Sequence, residues 1–249
     1  MSAVEHTVTE HYGSERIADR IISRLREEGI EGSPLDPEVL AGADEFHSGG
    51  RPATELVADA LDIGVGGAIL DVGCGIGGAA RFLARQTGAT VTGIDLTPQF
   101  VEAARTLTEA VGLGGSVGFD VGSATDLPYD DATFDGVTML HVGMNIADKG
   151  ALLAELARVA RPTGTIVVYD IMRVGEGEIT YPVPWASDPA ASFPAPPDDY
   201  EAAAAAAGLE LVDSANRLEL TIEVFLSTLS GPPPPIDLSH LMGPEFPTM

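Results

Sequence analysis

Residues 69–80 read ILDVGCGIGGAA. Ile69, Leu70 and Val72 make a short apolar run that predicts a strand over 69–72. A loop with glycines at 73, 75, 77 and 78 follows, and a helix is expected over 78–86. Strand, glycine loop and helix open a nucleoside-binding βαβ unit, because glycines let the backbone approach a ligand just ahead of a helix N-terminus. The alternation continues downstream, with strands expected at 90–94, 116–120, 134–140 and 165–171 and helices at 98–111 and 149–160. Short apolar strands separated by helices of this length imply a parallel sheet with right-handed crossovers. An alanine-rich helix at 199–207 and a sixth strand at 209–215 are expected to follow.

Upstream, residues 14–28 place Ile17, Ile21, Ile22 and Leu25 at helical spacing. A short helix after Pro37, over 38–43, and another over 52–61 complete an N-terminal helical cap. The expected fold is α/β: a Rossmann-like, doubly wound, mostly parallel sheet with helices on both faces and that cap. The expected organisation is a cap over 1–65, a ligand-binding domain over 66–218 with a proline-rich insertion at 172–197, and a C-terminal helix with a proline-rich tail over 219–249. The insertion carries Tyr181, Trp185 and Phe193, aromatics that floppy linkers seldom contain.

The 249 residues include 38 Asp and Glu against 13 Lys and Arg, a formal net charge of -25. Such a surface repels nucleic acid and anionic membranes, so neither is an expected partner. Cys74 is the only cysteine, which excludes an internal disulfide and a cysteine-rich metal site. The first residues lack the apolar stretch of a signal peptide, and no apolar run approaches the roughly 20 residues of a membrane span. A cytoplasmic protein is expected, with a homodimer as the candidate assembly. No His, Asp and Glu cluster has metal-ligand spacing, so no metal is expected.

The glycines satisfy two fingerprints. Gly73, Gly75 and Gly78 match the GxGxxG of dinucleotide folds; Gly73, Gly75 and Gly77 match the GxGxG of S-adenosylmethionine folds. Asp71 separates them. A carboxylate beside the loop repels the phosphates of a dinucleotide and attracts the ammonium and sulfonium of S-adenosylmethionine. Asp95, ending the second strand, can accept from both ribose hydroxyls of either ligand.

The stretches ILDVGCGIGGAA, VTGIDLTPQFVEAA, ATDLPYDDATFDGV and ELARVARPTGTIVVYD resemble, in order and spacing, the successive motifs of class I S-adenosylmethionine-dependent methyltransferases over about residues 65–215. DEFHSGGRPAT, HVGMNIADK, YPVPWASDP and HLMGPEFPTM are similar to the sarcosine/dimethylglycine N-methyltransferase and phosphoethanolamine methyltransferase group. The resemblance implies S-adenosylmethionine as methyl donor, S-adenosylhomocysteine as product and a small-molecule acceptor. It implies a donor site of Asp71, Gly73, Cys74, Gly75, Gly77, Asp95, Leu96, Leu140 and His141, with Ser123 and Ala124 against the adenine. The family more often has an aspartate where this chain has Ser123. Gly49 and Gly50 are implied as backbone contacts at the methionine end, Arg51 as a carboxylate ligand and Tyr12 as a closing aromatic; a salt bridge of Arg51 with Asp44 or Glu45, and a helix-capping role for Tyr12, are the alternatives. The family's antiparallel seventh strand has no counterpart after residue 218, so a strand or a partner chain is expected to fill the gap, since an intervening strand is hard to omit without exposing edges.

Methyl transfer is an in-line displacement that needs alignment and exclusion of water, not a covalent intermediate. His141, after the fourth strand, is the first candidate for a base or an orienting group, and Asn145 for orienting the acceptor. Met144, Tyr181, Trp185, Phe193 and His240 are the candidate acceptor walls; aromatics there can enclose an ammonium. Alternatives are cyclisation with S-adenosylmethionine as a scaffold, a nicotinamide-dependent oxidoreductase, or a binding protein without catalysis.

Overall fold

The computed structural model describes residues 3–12, 16–230 and 234–237. Five strands form one all-parallel sheet: β1 (Ala68–Val72), β2 (Thr90–Asp95), β3 (Val117–Val121), β4 (Phe134–Leu140) and β5 (Ala160–Tyr169), in the order β3-β2-β1-β4-β5. The order reverses beside β1, which places the strand carrying the glycine loop at the topological switch point, where open α/β sheets bind ligands.

Alternation along β1 splits the core. Ile69 packs on one face with Leu83, Val91 and Val101, while Leu70 and Val72 pack on the other with Val137, Met139, Leu152 and Leu156. Three crossover helices cover these faces: α5 (Gly78–Thr87), α6 (Pro98–Ala110) and α7 (Lys149–Val159). Pro98 opens α6, where its missing N–H costs nothing. Asp148 caps α7 by accepting from the Ala151 N–H at 2.8 Å.

The N-terminal region folds onto α6. Helix α2 (Ile17–Glu27) buries Ile17, Ile21 and Leu25 against Phe100, Ala103 and Leu107. Each buried aliphatic side chain of this kind contributes about 1.5–3 kcal/mol. Helix α1 (Ala3–Tyr12) precedes it. The single helix expected over 38–43 is a 3-10 turn, Pro37–Leu40, running into α3 (Ala41–Asp44); α4 (Gly50–Leu61) then leads to β1.

Two expectations are corrected here. Residues 209–215, expected as a sixth strand, are irregular and exposed, with Val212 93% accessible. A strand requires a ladder neighbour, and no seventh strand stands between this segment and β5 among the described residues. The expected filling of that gap is likewise absent there, so the outer edge of β5 has no partner strand. After α8 (Pro197–Ala206) and this segment, α9 (Leu218–Ser230) ends the described helices. Among the described residues, no helix is long and apolar enough to cross a membrane.

Candidate active site

The carboxyl ends of β1, β2 and β4 open into a cavity of about 620 Å3, within the range of small-molecule and cofactor sites. Its floor is the loop after β1. Gly73 and Cys74 donate their N–H groups to the Ile94 carbonyl at 2.7 and 3.1 Å. Gly75 donates to Asp95 Oδ2 at 2.9 Å, and Thr97 donates to Asp95 Oδ1 at 2.8 Å. Asp95 therefore ties the glycine loop to the start of α6, and each of its oxygens retains a further lone pair.

Gly73 has φ 74°, and a Cβ there would lie 2.1 Å from Val142 Cγ2. Gly75 has φ 53° and meets nothing within 4 Å. The first glycine is demanded by packing and conformation. The second leaves backbone open at the cavity wall.

Charge is the cavity's most informative property. Glu5, Asp44, Asp71, Asp95 and Asp148 line it, and no Lys or Arg does among the described residues. Asp71 is 2% exposed, and its Oδ2 has no hydrogen-bond partner in the structure. Burial, offset in part by His47, raises the Asp71 carboxyl to about 7. Burial also raises Asp95, against the amides of Thr97 and Gly75. Such a cavity disfavours phosphates and fits a cation. It also pushes the Cys74 thiol up, which keeps it un-ionised.

His141 follows β4 with φ 55°. Its backbone N–H donates to the Tyr169 carbonyl at 2.8 Å, and its ring stacks on that of Tyr169 at 5.6 Å and 9°. The Ser48 N–H reaches His141 Nδ1 at 3.4 Å. Burial and the neighbouring His47 push the His141 pKa down to about 3, so the imidazole is neutral. His47 stands 5.9 Å away, ring to ring, held by Glu45 Oε2 at 3.2 Å from its Nε2 and by Thr54 Oγ1 at 3.0 Å. Thr54 also donates to Glu45 at 2.6 Å.

The insertion is fastened beside this end of the cavity. Asn145 Nδ2 donates to the carbonyls of Trp185 and Ala191 at 2.9 and 2.8 Å. Lys149, the only lysine of the chain, is 8% exposed and donates to the carbonyls of Gly143, Ile146 and Phe193. Trp185 Nε1 donates to Ser192 Oγ at 2.9 Å. Replacing Asn145 with alanine leaves two carbonyls unmet and should cost about 2–3 kcal/mol. Urea denaturation measures the loss. Faster proteolysis within 172–197 and a red-shifted emission from Trp185, the only tryptophan, locate it.

Most of the expected site residues meet at this cavity. Asp71, Gly73, Cys74, Gly75, Asp95 and Leu96 line it at the ends of β1 and β2, with Ser123 and Ala124 after β3. Leu140, His141, Met144, Asn145 and Trp185 line it beyond β4. Others are placed elsewhere. Arg51 pairs with Glu45 Oε1 at 3.0 Å and lies 4.5 Å over the Phe82 ring. Gly49 packs under the Tyr169 hydroxyl, Gly50 faces Val224, and Gly77 opens α5 against Phe119. Tyr181 and Phe193 lie outside the cavity wall. The Tyr12 side chain and His240 lie outside the described residues. Among the described residues, no group of three or more His, Cys, Asp or Glu is arranged to hold a metal.

Sequence reading missed Glu5, Tyr169 and Phe225. Tyr169 carried a signal, since it ends the apolar run of β5 beside β4. Glu5 and Phe225 are brought in by tertiary packing and carried none.

An all-parallel sheet of this order, with an acidic carboxylate beside a glycine loop and a second at the end of β2, is the Rossmann-like fold that class I S-adenosylmethionine-dependent methyltransferases share. Residues 70–168 match the family model of a methyltransferase domain. It is 38% identical over 129 residues to a methyltransferase, GfsG, of Streptomyces halstedii, a match covering 52% of this chain and 46% of that protein. It is 34% identical over 161 residues to phosphoethanolamine N-methyltransferase 3 of Arabidopsis thaliana, covering 65% of this chain and 31% of that one. The chain thus spans less than half the length of these relatives. The crystal structure of the [4+2]-cyclase SpnF superimposes with a TM-score of 0.61 at 25% identity, covering 80% of this chain and 72% of SpnF.

Proposed function

We propose that the protein moves a methyl group from S-adenosylmethionine to a nitrogen or oxygen nucleophile of a small molecule. The observation that carries this reading is the cavity's charge: five carboxylates, one of them buried with an unmet oxygen, and no cation among the described lining residues. That set fits a donor bearing an ammonium and a sulfonium and disfavours a nicotinamide dinucleotide. The residues fit the group in detail. Asp71 would receive the ammonium, the open backbone at Gly75 would contact the amino-acid part, and Asp95 would accept from the ribose. Leu96, Ser123 and Ala124 border the base.

When bound, S-adenosylmethionine supplies an electrophilic methyl carbon. The chain's own part is alignment and exclusion of water. Leu140, Met144 and Trp185 wall the acceptor side with apolar surface. His141 orients the acceptor. Its Nδ1 faces the Ser48 N–H, so the neutral ring carries its proton on Nε2 and donates there. An imidazole held near pKa 3 is a weak proton acceptor at neutral pH, so the orienting role is favoured over the base role.

Cytoplasmic residence and self-association belong to this reading as well. The unpartnered edge of β5 is the feature that favours a second copy. A second reading, cyclisation chemistry on the same fold, is favoured by the likeness to SpnF.

The test is incubation with methyl-labelled S-adenosylmethionine and a panel of amines, phenols and carboxylates, read by mass spectrometry. Gain of one methylene unit with release of S-adenosylhomocysteine is expected. A rearranged product of unchanged mass supports cyclisation instead. His141→Gln should lower kcat by about 10- to 100-fold while S-adenosylhomocysteine affinity stays within about threefold. At saturating S-adenosylmethionine, where the Asp71 effect on affinity drops out, the wild-type kcat should show no histidine inflection near pH 6.5.

A further inference from the structure

We infer that the methyl acceptor is an uncharged, mainly apolar hydroxyl compound, and that molecules bearing a phosphate or a carboxylate are turned away. The inference rests on the donor reading above and names the substrate class of that same site.

It starts from two polar side chains that point away from the acceptor end. Lys149 has three hydrogens to donate, and the carbonyls of Gly143, Ile146 and Phe193 take them at 2.9, 2.5 and 2.9 Å. The Asn145 amide has two, and the carbonyls of Trp185 and Ala191 take both. The main chain is committed in the same way. The N–H groups of His141, Asn145, Ile146 and Phe193 donate to the carbonyls of Tyr169, Val142, Gly143 and Met144. The Ile171 N–H donates to Asp170 Oδ1 at 2.9 Å. The surface left to an acceptor is mostly apolar, from Met144, Ile146, Ile171, Trp185 and Phe225, with the Asp148 carboxylate among them. All 13 Lys and Arg of the chain fall within the described residues, and none of them lines the cavity.

A phosphate or carboxylate brought here would leave water without a counter-charge or a set of N–H donors to replace it, which is costly. An ammonium on the same molecule gives no relief. It must lose its proton before its nitrogen can attack, and the anion is then uncompensated.

The nucleophile follows from His141, whose neutral ring donates from Nε2. An attacking hydroxyl oxygen has two lone pairs, one for the methyl carbon and one for that N–H. A neutral amine has a single lone pair and cannot serve both. As the oxygen–carbon bond forms, the carbon–sulfur bond breaks and its electron pair stays on sulfur. The hydroxyl proton passes to water at the open side of the cavity, where Phe225 is 62% accessible.

The experiment is calorimetry at pH 7.5 on protein saturated with S-adenosylhomocysteine, titrated with 4-butylphenol, 3-(4-hydroxyphenyl)propanoate and phosphoethanolamine. The first two differ mainly in a terminal carboxylate. Wild-type protein should bind 4-butylphenol at least about 30-fold more tightly than the propanoate and show no saturable binding of phosphoethanolamine. Phe225→Arg, at an exposed position, should tighten propanoate binding by about tenfold or more by supplying the missing cation; its melting temperature is recorded beside that of wild type. With S-adenosylmethionine, kcat/KM for 4-butylphenol should exceed that for 4-butylaniline, a neutral amine of the same shape, by about tenfold or more. Propanoate or phosphoethanolamine binding that equals 4-butylphenol overturns the inference. So does an aniline methylated as well as the phenol, a folded Phe225→Arg with unchanged preference, or failure of all three compounds to bind. Each of these leaves the donor reading standing, because S-adenosylhomocysteine is bound first. Protein that binds no S-adenosylhomocysteine overturns the donor reading, and this inference with it.

Discussion

Asp71→Asn should weaken S-adenosylhomocysteine binding by about 30-fold or more, the effect of removing one partner of a buried charge pair, while making the ligand-free protein more stable. The two signs are opposite because Asp71 is a buried carboxylate 2% exposed, with one oxygen unmet. Burial first, and then the nearby Asp95, raise its pKa from 3.8 to about 7. The folded protein therefore holds this proton more tightly than the unfolded chain does. Ionisation opposes folding progressively from about pH 4 to pH 7, and the penalty is complete above that. Asparagine keeps the shape without the penalty. The variant's melting temperature should exceed that of wild type most at pH 8, and the gap should close toward pH 4.

Ligand binding has the reverse dependence. An ammonium beside Asp71 favours the ionised form, so wild-type affinity should rise from pH 5.5 to about 7.5 with release of a proton, then level off. Asp71→Asn should flatten that rise. A residue with a merely structural role would lose stability on substitution and leave the pH profile of binding unmoved.

Arg81→Met should cost about 3–5 kcal/mol, as expected when one member of a buried ion pair is removed. Arg81 is 2% exposed and bonds Asp44 Oδ1 at 2.5 Å, the Ile76 carbonyl at 2.8 Å and Thr108 Oγ1 at 3.0 Å. These contacts join α5, α6, the glycine loop and the end of α3. Without the guanidinium, the Asp44 carboxylate stays buried with Glu45 beside it. Burial already holds Asp44 at about 6 despite Arg81. The loss is a large share of the roughly 5–15 kcal/mol by which a domain is stable. It should shrink below pH 5, where Asp44 in the variant is protonated. Arg81→Met/Asp44→Leu should recover much of it, because removing both charges is far cheaper than stranding one. Urea denaturation of the three proteins at pH 5 and pH 8 measures these differences.

How far the sequence reached differs by element, for physical reasons. The strand at 134–140 was legible to the residue because its apolar run ends in His141, at a break that the positive φ confirms. Asp71 was legible as a charge, since the sign of a carboxylate beside a glycine loop does not depend on packing. The segment 209–215 was not legible. Its composition suits a strand, but a strand exists only with a neighbour, and the neighbour is a property of the sheet. Arg51 was legible as a cation that either binds a ligand carboxylate or pairs with Asp44 or Glu45; the structure pairs it with Glu45, a choice that depends on how α4 turns relative to residues 45–48. Asn145 was read as facing an acceptor; its amide instead meets two carbonyls some forty residues further along, a long-range contact that spacing cannot encode. Glu5 lies 118 residues from its partner Ser123 and left no local trace at all.

The most direct test of the central claim is calorimetric titration of S-adenosylhomocysteine into the wild-type protein at pH 7.5, run beside NADH. The acidic cavity predicts one saturable site for S-adenosylhomocysteine, weaker at pH 5.5, and no measurable heat with NADH. Absence of S-adenosylhomocysteine binding, or saturable binding of NADH, would contradict it.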